Sequence, residues 1–399
     1  MKEKNTLPLS DIRVVEFTTA WVGPGCGLVL SQMGAEIIKV ENPRLPDYWR
    51  RLQAYYRGEG INRSASFAVL NRGKKSCLLD LKQEKDKVKA KKLIELTDIV
   101  IENYAPRVME SLGLGYSVLK EIRPDLIMLS ASGYGATGPD RDCLAFGPVL
   151  ESYSGLASLI GYPGGPPMSC GTTPSDHIGA ITSAFAVLAA LHHREVTGEG
   201  QHIDLSEVES LTACIPEAVM EFTMNRRIPQ PKGNRDEAMA PHGTYRCRGH
   251  DKWIAIAMGE DSEWENFCIA MEKPELRDDE RFRDGFLRIR NQNELDKIIN
   301  EWTRQQIPED IMTKLQKANI AAGPVYSGEE IYKDPHLRAR GFFVEHHHPE
   351  VGNRELPGVF AKLSKTPGRI NGHDPLLGEH TDWVFEKLLK ISKTSDKPD

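Results

Sequence analysis

Short apolar runs alternate with polar stretches along the first third of the chain. The runs are rich in Val, Ile and Leu, and each has the length of a buried strand. They comprise Ile12–Phe17, Glu36–Val40, Ser76–Leu81, Asp98–Glu102 and Leu126–Ala131. Because the intervening segments Gly23–Met33 and Gln83–Thr97 have helical character, the pattern predicts an α/β fold with a Rossmann-like, mostly parallel sheet and helices on both faces.

Two longer helices are predicted further along, at Asp176–Glu195 and Glu207–Met224. In the first, apolar side chains recur at three- and four-residue intervals, which predicts that they face the core. This stripe consists of Ile178, Ile181, Phe185, Leu188 and Leu191. Gly198 is expected to end the helix.

A polar, proline-containing segment at Pro229–Asn234 indicates a domain boundary. Beyond it, Gly243–Met258 has the pattern of a β-hairpin, and helices are predicted at Ser262–Ala270, Gln292–Thr303 and Pro308–Ala318. Because the chain changes character again from about Pro324, we divide it into an N-terminal α/β region (1–225), a small α+β domain (226–325) and a C-terminal segment (326–399). The charged end, Lys393–Asp399, is expected to be disordered.

Composition narrows the range of functions. The 399 residues carry a net charge of −6, which gives no general electrostatic support to a nucleic-acid partner. No uninterrupted apolar run approaches the roughly 20 residues that span a bilayer, and Met1–Leu9 has no apolar signal-peptide core. We therefore expect a cytoplasmic protein that binds neither nucleic acid nor membrane.

Cysteine and histidine give little support to a metal site. The seven cysteines are scattered and include no C-x-x-C pair, so neither a disulfide framework nor a zinc site is expected. The run His346–His348 lies beside Pro349 and is predicted to be a loop. Without accompanying carboxylates a metal there is disfavoured, and no metal cofactor is expected.

Two glycine-containing segments are candidate phosphate sites. Gly23–Leu28 follows a predicted strand, but Leu28 stands where the G-x-G-x-x-G pattern needs glycine, so a tight turn is favoured over dinucleotide binding. Asn71–Ser76 places three cations around a glycine, an arrangement that binds phosphate groups. Solvated lysines are the commoner explanation of such a run, and both interpretations stay open.

Asp176 lies at the predicted start of the long helix. An aspartate there usually caps free N–H groups, and the helix N-terminus also favours its ionised form. An ionised carboxylate from which water is excluded is a usable nucleophile. Capping is the commoner role, and the residue types alone leave both open.

Long motifs follow one another along the chain: LSDIRVVEFTTAWVGPGCGLVLSQMGAEIIKVE, LNRGKKSCLLDL, DIVIENYAPRVMESLGL, LSASGYGATGP, GNRDEAMAPHGTYRCRGHDKWIAIA, IAAGPVYSGEEIYKDPHLRARGFF and LLGEHTDWV. Together they resemble the class III CoA-transferases, the group that includes formyl-CoA, carnitine and benzylsuccinate CoA-transferases. In that family a nucleophilic aspartate precedes a Leu-Ala-Ala-Leu stretch at a fixed distance. Here the stretch is Leu188–Leu191, and Asp176 is at the matching place.

The resemblance implies a CoA-transferase in which Asp176 forms mixed anhydrides and carries CoA as an aspartyl thioester. It also implies that residues 326–399 return to the large CoA-binding domain begun by residues 1–225, with the small domain inserted between them. The implied assembly is a homodimer or heterodimer of interlinked, ring-shaped subunits. The implied CoA contacts are Trp21, Val22, Asn71, Arg72, Lys74, Lys75, Asn103, Tyr104, Ala105, Arg107, Gly133, Tyr134 and Gly135, of which the last three are candidates for stabilising oxyanion charge. Asn42 replaces an arginine that the family often has after the second strand, and that contact is not carried over.

The exchanged acids follow from the family and from a cluster of aromatic residues. Succinyl-CoA is the expected donor, and an aryl dicarboxylate such as benzylsuccinate is the candidate acceptor. Arg50 or Arg51 is the candidate partner of its second carboxylate. The aromatic side chains either line a pocket for an aryl acid or pack between subunits, and both interpretations stay open. They are Trp21, Tyr48, Trp49, Tyr55 and Tyr56.

Two alternative functions remain. α-Methylacyl-CoA racemases keep the aspartate but need a histidine as a second base. Counting back from Ser154–Gly155 places Phe146 at that position, and phenylalanine cannot transfer a proton. The other alternative is a CoA-binding, non-catalytic subunit of a heteromeric transferase, and the retention of Asp176 argues against it.

Overall fold

The largest sheet confirms the predicted α/β fold. The structure is a computed structural model that describes residues 7–52 and 58–391. Its parallel strands are β1 (Arg13–Phe17), β2 (Glu36–Glu41), β3 (Lys75–Leu78), β4 (Ile99–Glu102), β5 (Ile127–Ser132) and β6 (His202–Ser206). They pair in the order β3-β2-β1-β4-β5-β6. The order reverses between β1 and β4, so the carboxyl ends of these strands flank a crevice.

Two smaller sheets are antiparallel. One contains β7 (His242–Arg246), β8 (Trp253–Ala257) and β9 (Ala321–Pro324), and the other is a hairpin of β10 (Phe343–His348) and β11 (Gly352–Pro357). The prediction that His346–His348 is a loop is wrong. These histidines pair across the hairpin with residues 352–354, so Pro349 marks the turn at residues 349–351 and the histidines belong to the strand before it.

The helices, in chain order, are α1 (Val22–Gln32), α2 (Tyr48–Arg51), α3 (Ala65–Asn71), α4 (Glu84–Ile94), α5 (Val108–Ser111), α6 (Tyr116–Ile122), α7 (Gly147–Tyr153), α8 (Leu156–Leu159), α9 (Pro174–Thr197), α10 (Glu207–Thr212), α11 (Pro216–Asn225), α12 (Ser262–Ala270), α13 (Gly285–Arg290), α14 (Gln292–Thr303), α15 (Pro308–Lys317), α16 (Gly328–Lys333), α17 (Pro335–Ala339) and α18 (Thr381–Trp383). A 3-10 turn lies at Pro274–Asp278 and a π-helical turn at Val384–Leu388. The single helix predicted at 207–224 is two helices, because Pro216 starts a new helix at its first position.

The described chain forms two compact units. The first contains the residues up to Ala157, then Ser169–Ile228 and the chain from His336 onward; the second contains Ser158–Met168 and Pro229–Pro335. The sequence predicts domain boundaries at 225/226 and 325/326, and the corresponding boundaries between the two units lie at 228/229 and 335/336. No sequence pattern singled out Ser158–Met168 as part of the second unit.

Each unit has its own apolar core. In the first unit, separate clusters of buried side chains cover the two faces of the parallel sheet, one packed with α1 and α9 and the other with α4 and α6. In the second unit, the antiparallel sheet packs with helices that include α12, α14 and α15. Helices on both faces of the large sheet leave its strand ends for ligands.

The face of α9 that packs in the core is not the predicted one. Ile181, Phe185 and Leu188 are 56%, 71% and 42% exposed. The buried positions are mostly small: Ser175, Gly179, Ala180, Ser183, Ala184, Val187 and Ala190. Small side chains allow α9 to approach α1 so closely that a Cβ on Gly25 would lie 2.8 Å from the Cβ of Ala180. Apolar periodicity identified the helix, but close helix packing selected the smallest side chains for the buried face.

Among the described residues, α9 is also the one helix whose length and composition would allow it to cross a membrane. The sequence expectation considered uninterrupted apolar runs and missed it. The helix places Ala180, Ala184, Val187 and Ala190 in the core beside strands β1, β4 and β5, which is how a core helix of a globular domain packs.

Candidate active site

A cavity of about 830 Å³ lies at the carboxyl ends of three central strands. Residues 19–22 after β1, residues 103–106 after β4 and residues 131–134 at the end of β5 contribute to its lining. These strand ends surround the point where the strand order reverses, which is where open α/β sheets bind ligands. The volume is in the range of sites for small molecules and cofactors.

Asp176 reaches this cavity from the first turn of α9. It is the third residue of the helix, after Pro174 and Ser175, and the positive end of the helix dipole favours its carboxylate. Burial raises the pKa of Asp176 above its usual value, while a hydrogen bond from Thr173 and the nearby charge of His177 act in the opposite direction. Incomplete solvation makes this carboxylate a stronger nucleophile than one in water.

Gly147 packs directly against the Asp176 carboxyl group. A Cβ at this position would lie 2.5 Å from Asp176 Oδ2 and 2.6 Å from the Cβ of Thr173. Any side chain at 147 would therefore displace the carboxylate. A glycine at the start of α7 thus belongs to the site, although nothing in the sequence distinguishes it from an ordinary helix-start residue.

A second acid lines the same cavity. Glu207 is the first residue of α10 and is 6% exposed, and its Oε2 has no hydrogen-bond partner among the described residues. Burial, followed by the charge of Asp176, raises the pKa of Glu207 to about 8. Glu207 therefore holds a proton at neutral pH. Sequence reasoning missed it because glutamate is common in the first turn of a helix.

Aromatic rings form one wall of the cavity. The ring of Trp49 lies 5.9 Å from that of Trp21 and 5.4 Å from that of Tyr48, and the Phe146 ring is 5.8 Å from the Tyr48 ring. Trp21 also contacts His177 at 4.8 Å. Tyr55 and Tyr56, which were grouped with these rings, lie outside the described residues.

The structure brings many of the predicted site residues together with Asp176. Those in the cavity lining are Trp21, Val22, Tyr48, Trp49, Asn103, Tyr104, Ala105, Gly133 and Tyr134. Arg107 and Gly135 are not part of the described lining: Arg107 pairs with Asp142 at 3.1 Å, and Gly135 occupies a left-handed turn at φ 83°. Asn103 uses its amide to hold the loop after β1 through two hydrogen bonds to the main chain of Thr19.

The structure places Asn71, Arg72 and Lys74, the predicted phosphate contacts, inside the fold and not in the Asp176 cavity. All three residues are at most 2% exposed. Lys74 Nζ donates to both carboxylate oxygens of Glu16, at 2.9 and 3.0 Å, and to the carbonyl of Pro24 at 2.8 Å. Asn71 and Arg72 donate to main-chain carbonyl groups inside the fold. Because buried acids and carbonyls need partners, these polar groups serve the fold.

Arg50 and Lys75 also have partners within the fold. Arg50, a predicted substrate contact, is 1% exposed, pairs with Glu41 at 2.8 Å and lies 3.6 Å from the ring centre of Phe67. Lys75 remains partly exposed and pairs with Glu36 at 3.1 Å. Neither residue is part of the described lining of the Asp176 cavity.

A second cavity, of about 380 Å³, shares Thr19 and Tyr104 with the first. Its apolar lining includes Val40, Leu45, Leu79, Leu81, Val108 and Leu112. Arg51 and Lys82 add two cations, and Asn42, the position where this chain lacks the family's arginine, also lines it. The sequence pattern missed this cavity because its residues come from five separate segments.

Comparison with known proteins identifies the family. The profile described as CoA-transferase family III matches residues 9–381. The succinyl-CoA–D-citramalate CoA-transferase of Chloroflexus aurantiacus is 34% identical over 387 residues, which are 97% of this chain and 95% of that protein. The succinyl-CoA–L-malate CoA-transferase alpha subunit of the same organism is 35% identical over 390 residues, which are 97% of this chain and 90% of that protein.

A solved structure agrees. A CAIB/BAIF family protein from Brucella suis superimposes with a TM-score of 0.88 at 29% sequence identity, covering 96% of this chain and 100% of that one. The chain therefore belongs to CoA-transferase family III and is a CoA-transferase, as the sequence motifs predicted.

Proposed function

We propose that this enzyme transfers CoA from succinyl-CoA to a second dicarboxylic acid, with Asp176 as the covalent carrier. The observation that carries the proposal is the place of Asp176: a partly buried carboxyl group in the first turn of α9, inside the cavity at the switch point of the sheet. The donor is supported by the names of the two relatives, both of which use succinyl-CoA.

The mechanism exchanges acyl groups in four attacks. The Asp176 carboxylate attacks the thioester carbonyl of succinyl-CoA, the C–S bond breaks, and a mixed anhydride forms with release of CoA thiolate. The thiolate then attacks the aspartyl carbonyl, which releases succinate and leaves an aspartyl-CoA thioester. The acceptor carboxylate displaces the thiolate again to form a second anhydride. Attack of the thiolate on the acceptor's acyl carbon releases the new acyl-CoA and regenerates Asp176.

The two cavities suit the two ends of CoA. The shared residues Thr19 and Tyr104 make them neighbours, so an extended ligand can occupy both. We place the thioester beside Asp176 and the nucleotide end in the smaller, mostly apolar cavity. There Arg51 and Lys82 supply positive charge for phosphate groups.

The acceptor we propose is an aryl dicarboxylate such as benzylsuccinate. The rings of Trp21, Tyr48, Trp49 and Phe146 offer edges and faces for an aromatic ring. With Arg50 buried, Arg141 becomes the candidate partner for the second carboxylate, because it lines the same cavity. A small hydroxy dicarboxylate is the second candidate, favoured by the names of the relatives.

We further propose that the active form is a dimer, with a second copy or a related subunit, in the cytoplasm. Support for the dimer comes from exposed apolar side chains on α9 and α11, which include Phe185, Val219, Met220, Phe222 and Met224. One relative is named as an alpha subunit, which indicates a heteromeric assembly in that protein. All seven cysteines are free thiols, which suits a reducing compartment.

The test is a transfer assay with a panel of acceptors. The enzyme is mixed with succinyl-CoA and benzylsuccinate, malate, citramalate or acetate, and new acyl-CoA is followed by chromatography and mass spectrometry. We expect transfer to the dicarboxylates, fastest to benzylsuccinate. Strict preference for acetate would reject the acceptor class. Exchange of an α-proton in deuterated water without any CoA transfer would favour a racemase instead.

A further inference from the structure

Glu207 is a buried acid without an obvious structural use. Its Oε2 has no partner among the described residues and lies 3.6 Å from the point where a Cβ on Gly179 would be, one helical turn beyond Asp176. Among the described residues that line the cavity, the buried side-chain polar atoms without a hydrogen-bond partner are Glu207 Oε2, Trp49 Nε1 and Ser132 Oγ, and Glu207 is the ionisable one of the three. Such a group is suited to a partner that forms only during the reaction.

Glu207 is also held in a fixed place. The main-chain N–H of Val208 donates to the carbonyl of Gly133 at 3.0 Å, which ties the start of α10 to the end of β5. Ser206 caps the helix through a hydrogen bond from Glu209 N. Because the backbone at the start of α10 is fixed, the Glu207 side chain is held in one orientation. A hydrogen-bond donor that stabilises developing charge needs to be preorganised in this way.

We infer that Glu207, in its neutral form, donates a hydrogen bond to the carbonyl oxygen of Asp176 while that oxygen gains negative charge. The inference rests on the proposed function, because it concerns the anhydride and thioester formed on Asp176. Each attack on the aspartyl carbonyl makes a tetrahedral oxyanion, and each collapse restores the carbonyl. The proton stays on Glu207 throughout, so no proton is gained or lost.

This role predicts an upper pH limit. Besides Glu207, the titratable and charged groups in the cavity lining are Asp176 and His177 on α9, Tyr48 on α2, Tyr104 after β4, and Tyr134, Arg141 and Cys143 after β5. On Glu207's own helix, Glu209 is exposed. When Glu207 ionises, it stops donating and adds a second negative charge near Asp176, which repels incoming carboxylates. Transfer by the native enzyme should therefore fall as the pH rises above about 8.

The kinetic test compares Glu207→Leu and Glu207→Gln with the control Glu209→Gln. Glu207→Leu removes the donor and should lower kcat about 100-fold with little change in the KM for succinyl-CoA, the size expected for one lost oxyanion donor. Glu207→Gln keeps a donor that does not titrate, so it should retain more activity and lose the alkaline limb. Glu209→Gln should keep both rate and pH profile. An unchanged kcat and alkaline limb in Glu207→Leu would overturn the inference.

An infrared titration decides the protonation independently of turnover. At pH 7 the native enzyme should show the carbonyl band of a buried, protonated carboxylic acid that is missing in Glu207→Gln and shifted in Asp176→Asn. Absence of this band would overturn the inference even if transfer occurs. A native enzyme that shows the band but transfers no CoA would contradict both the proposed function and the role of Glu207 in it. If CoA is transferred but Glu207→Leu leaves kcat and the alkaline limb unchanged, only the role of Glu207 is contradicted.

Discussion

Two clusters of buried charge in the first unit contrast sharply. In the paired cluster, which consists of Glu16, Lys74, Glu41 and Arg50, each acid has a cation within 3.0 Å. The acid pair consists of Asp176 and Glu207. The charge of His177 acts on the pKa of Asp176, and the charge of Asp176 acts on the pKa of Glu207. Among the described residues, neither pKa is shifted by a lysine or an arginine. The first cluster compensates its charge and the second does not.

The contrast shows what each cluster contributes. A buried acid with a cation stays ionised and inert, and removing one partner is costly for stability. Ionising both acids in one pocket costs free energy because the two negative charges repel each other. One acid therefore keeps its proton, and the other stays ionised and available as a nucleophile. Changes in the acid pair should therefore alter rates and the pH dependence of stability, whereas loss of a cation from the paired cluster should lower stability itself.

The largest effect is expected from Asp176→Ala. Removal of this carboxylate should lower CoA transfer by about 10³-fold or more, since the proposed covalent intermediate forms on it. Initial rates with succinyl-CoA and the best acceptor measure this. Glu209→Ala, which removes an exposed acid from the first turn of another helix, is the matched control and should stay near the native rate. More than a tenth of native activity in Asp176→Ala would argue against covalent catalysis there.

Lys74→Met should be the most damaging change to the fold. It removes the nearer of the two cations beside the buried Glu16 and leaves only Lys39, at 3.5 Å, with an expected cost of about 3–5 kcal/mol in the free energy of unfolding. Lys75→Met, one residue away and partly exposed, should cost at most about 1 kcal/mol. Denaturant titrations of both variants make the comparison. Equal stabilities, with CoA affinity lost in Lys74→Met, would restore the phosphate contact that the structure argues against.

Gly147→Ala should impair catalysis without unfolding the protein. Its Cβ would push against Asp176 Oδ2, and a displacement of about 1 Å at a reacting group reduces rates on the order of 100-fold. Gly328→Ala is the control, because a Cβ there meets no atom within 4 Å. Steady-state kinetics and thermal melting are measured together. A Gly147→Ala enzyme with native kcat would show that the carboxylate position is not critical.

Glu207→Gln should stabilise the protein at alkaline pH. The pKa of Glu207 is raised from 4.5 to about 8 on folding, so the folded state binds more protons than the unfolded state between these values. Native stability therefore falls as the pH rises from about 4.5 to about 8 and levels off above it. The variant lacks this loss, and its Tm should exceed the native Tm by several degrees at pH 8 and converge with it near pH 4.5. A constant Tm difference across this range would mean that Glu207 does not titrate as described.

Lys82→Ala should have the smallest effect. Loss of one exposed cation beside the smaller cavity should raise the KM for succinyl-CoA about three- to ten-fold and leave kcat unchanged. Lys85→Ala, an exposed lysine on α4 outside the described lining, is its control. If the two variants behave alike, the nucleotide end of CoA does not bind in this cavity.

The sequence was informative about the order of the elements and the CoA-transferase family, and less so about which side chains contact one another. Strand and helix patterns predicted most of the parallel sheet, because local periodicity reports burial. The same periodicity chose the wrong face of α9, since close packing against α1 depends on Ala180 meeting Gly25. Lys74 and Arg50 looked like ligand contacts because a sequence does not reveal which cation lies beside a buried acid. Glu207 and Gly147 were missed for the same reason, since their roles exist only in three dimensions.

The most direct test of the account is to trap the intermediate on Asp176. The enzyme is incubated with succinyl-CoA without acceptor, treated with borohydride to reduce an aspartyl thioester to the alcohol, digested and analysed by mass spectrometry. The account predicts reduction at Asp176 that depends on succinyl-CoA and is absent in Asp176→Asn. Modification at another residue, or none in an enzyme that transfers CoA, would contradict it.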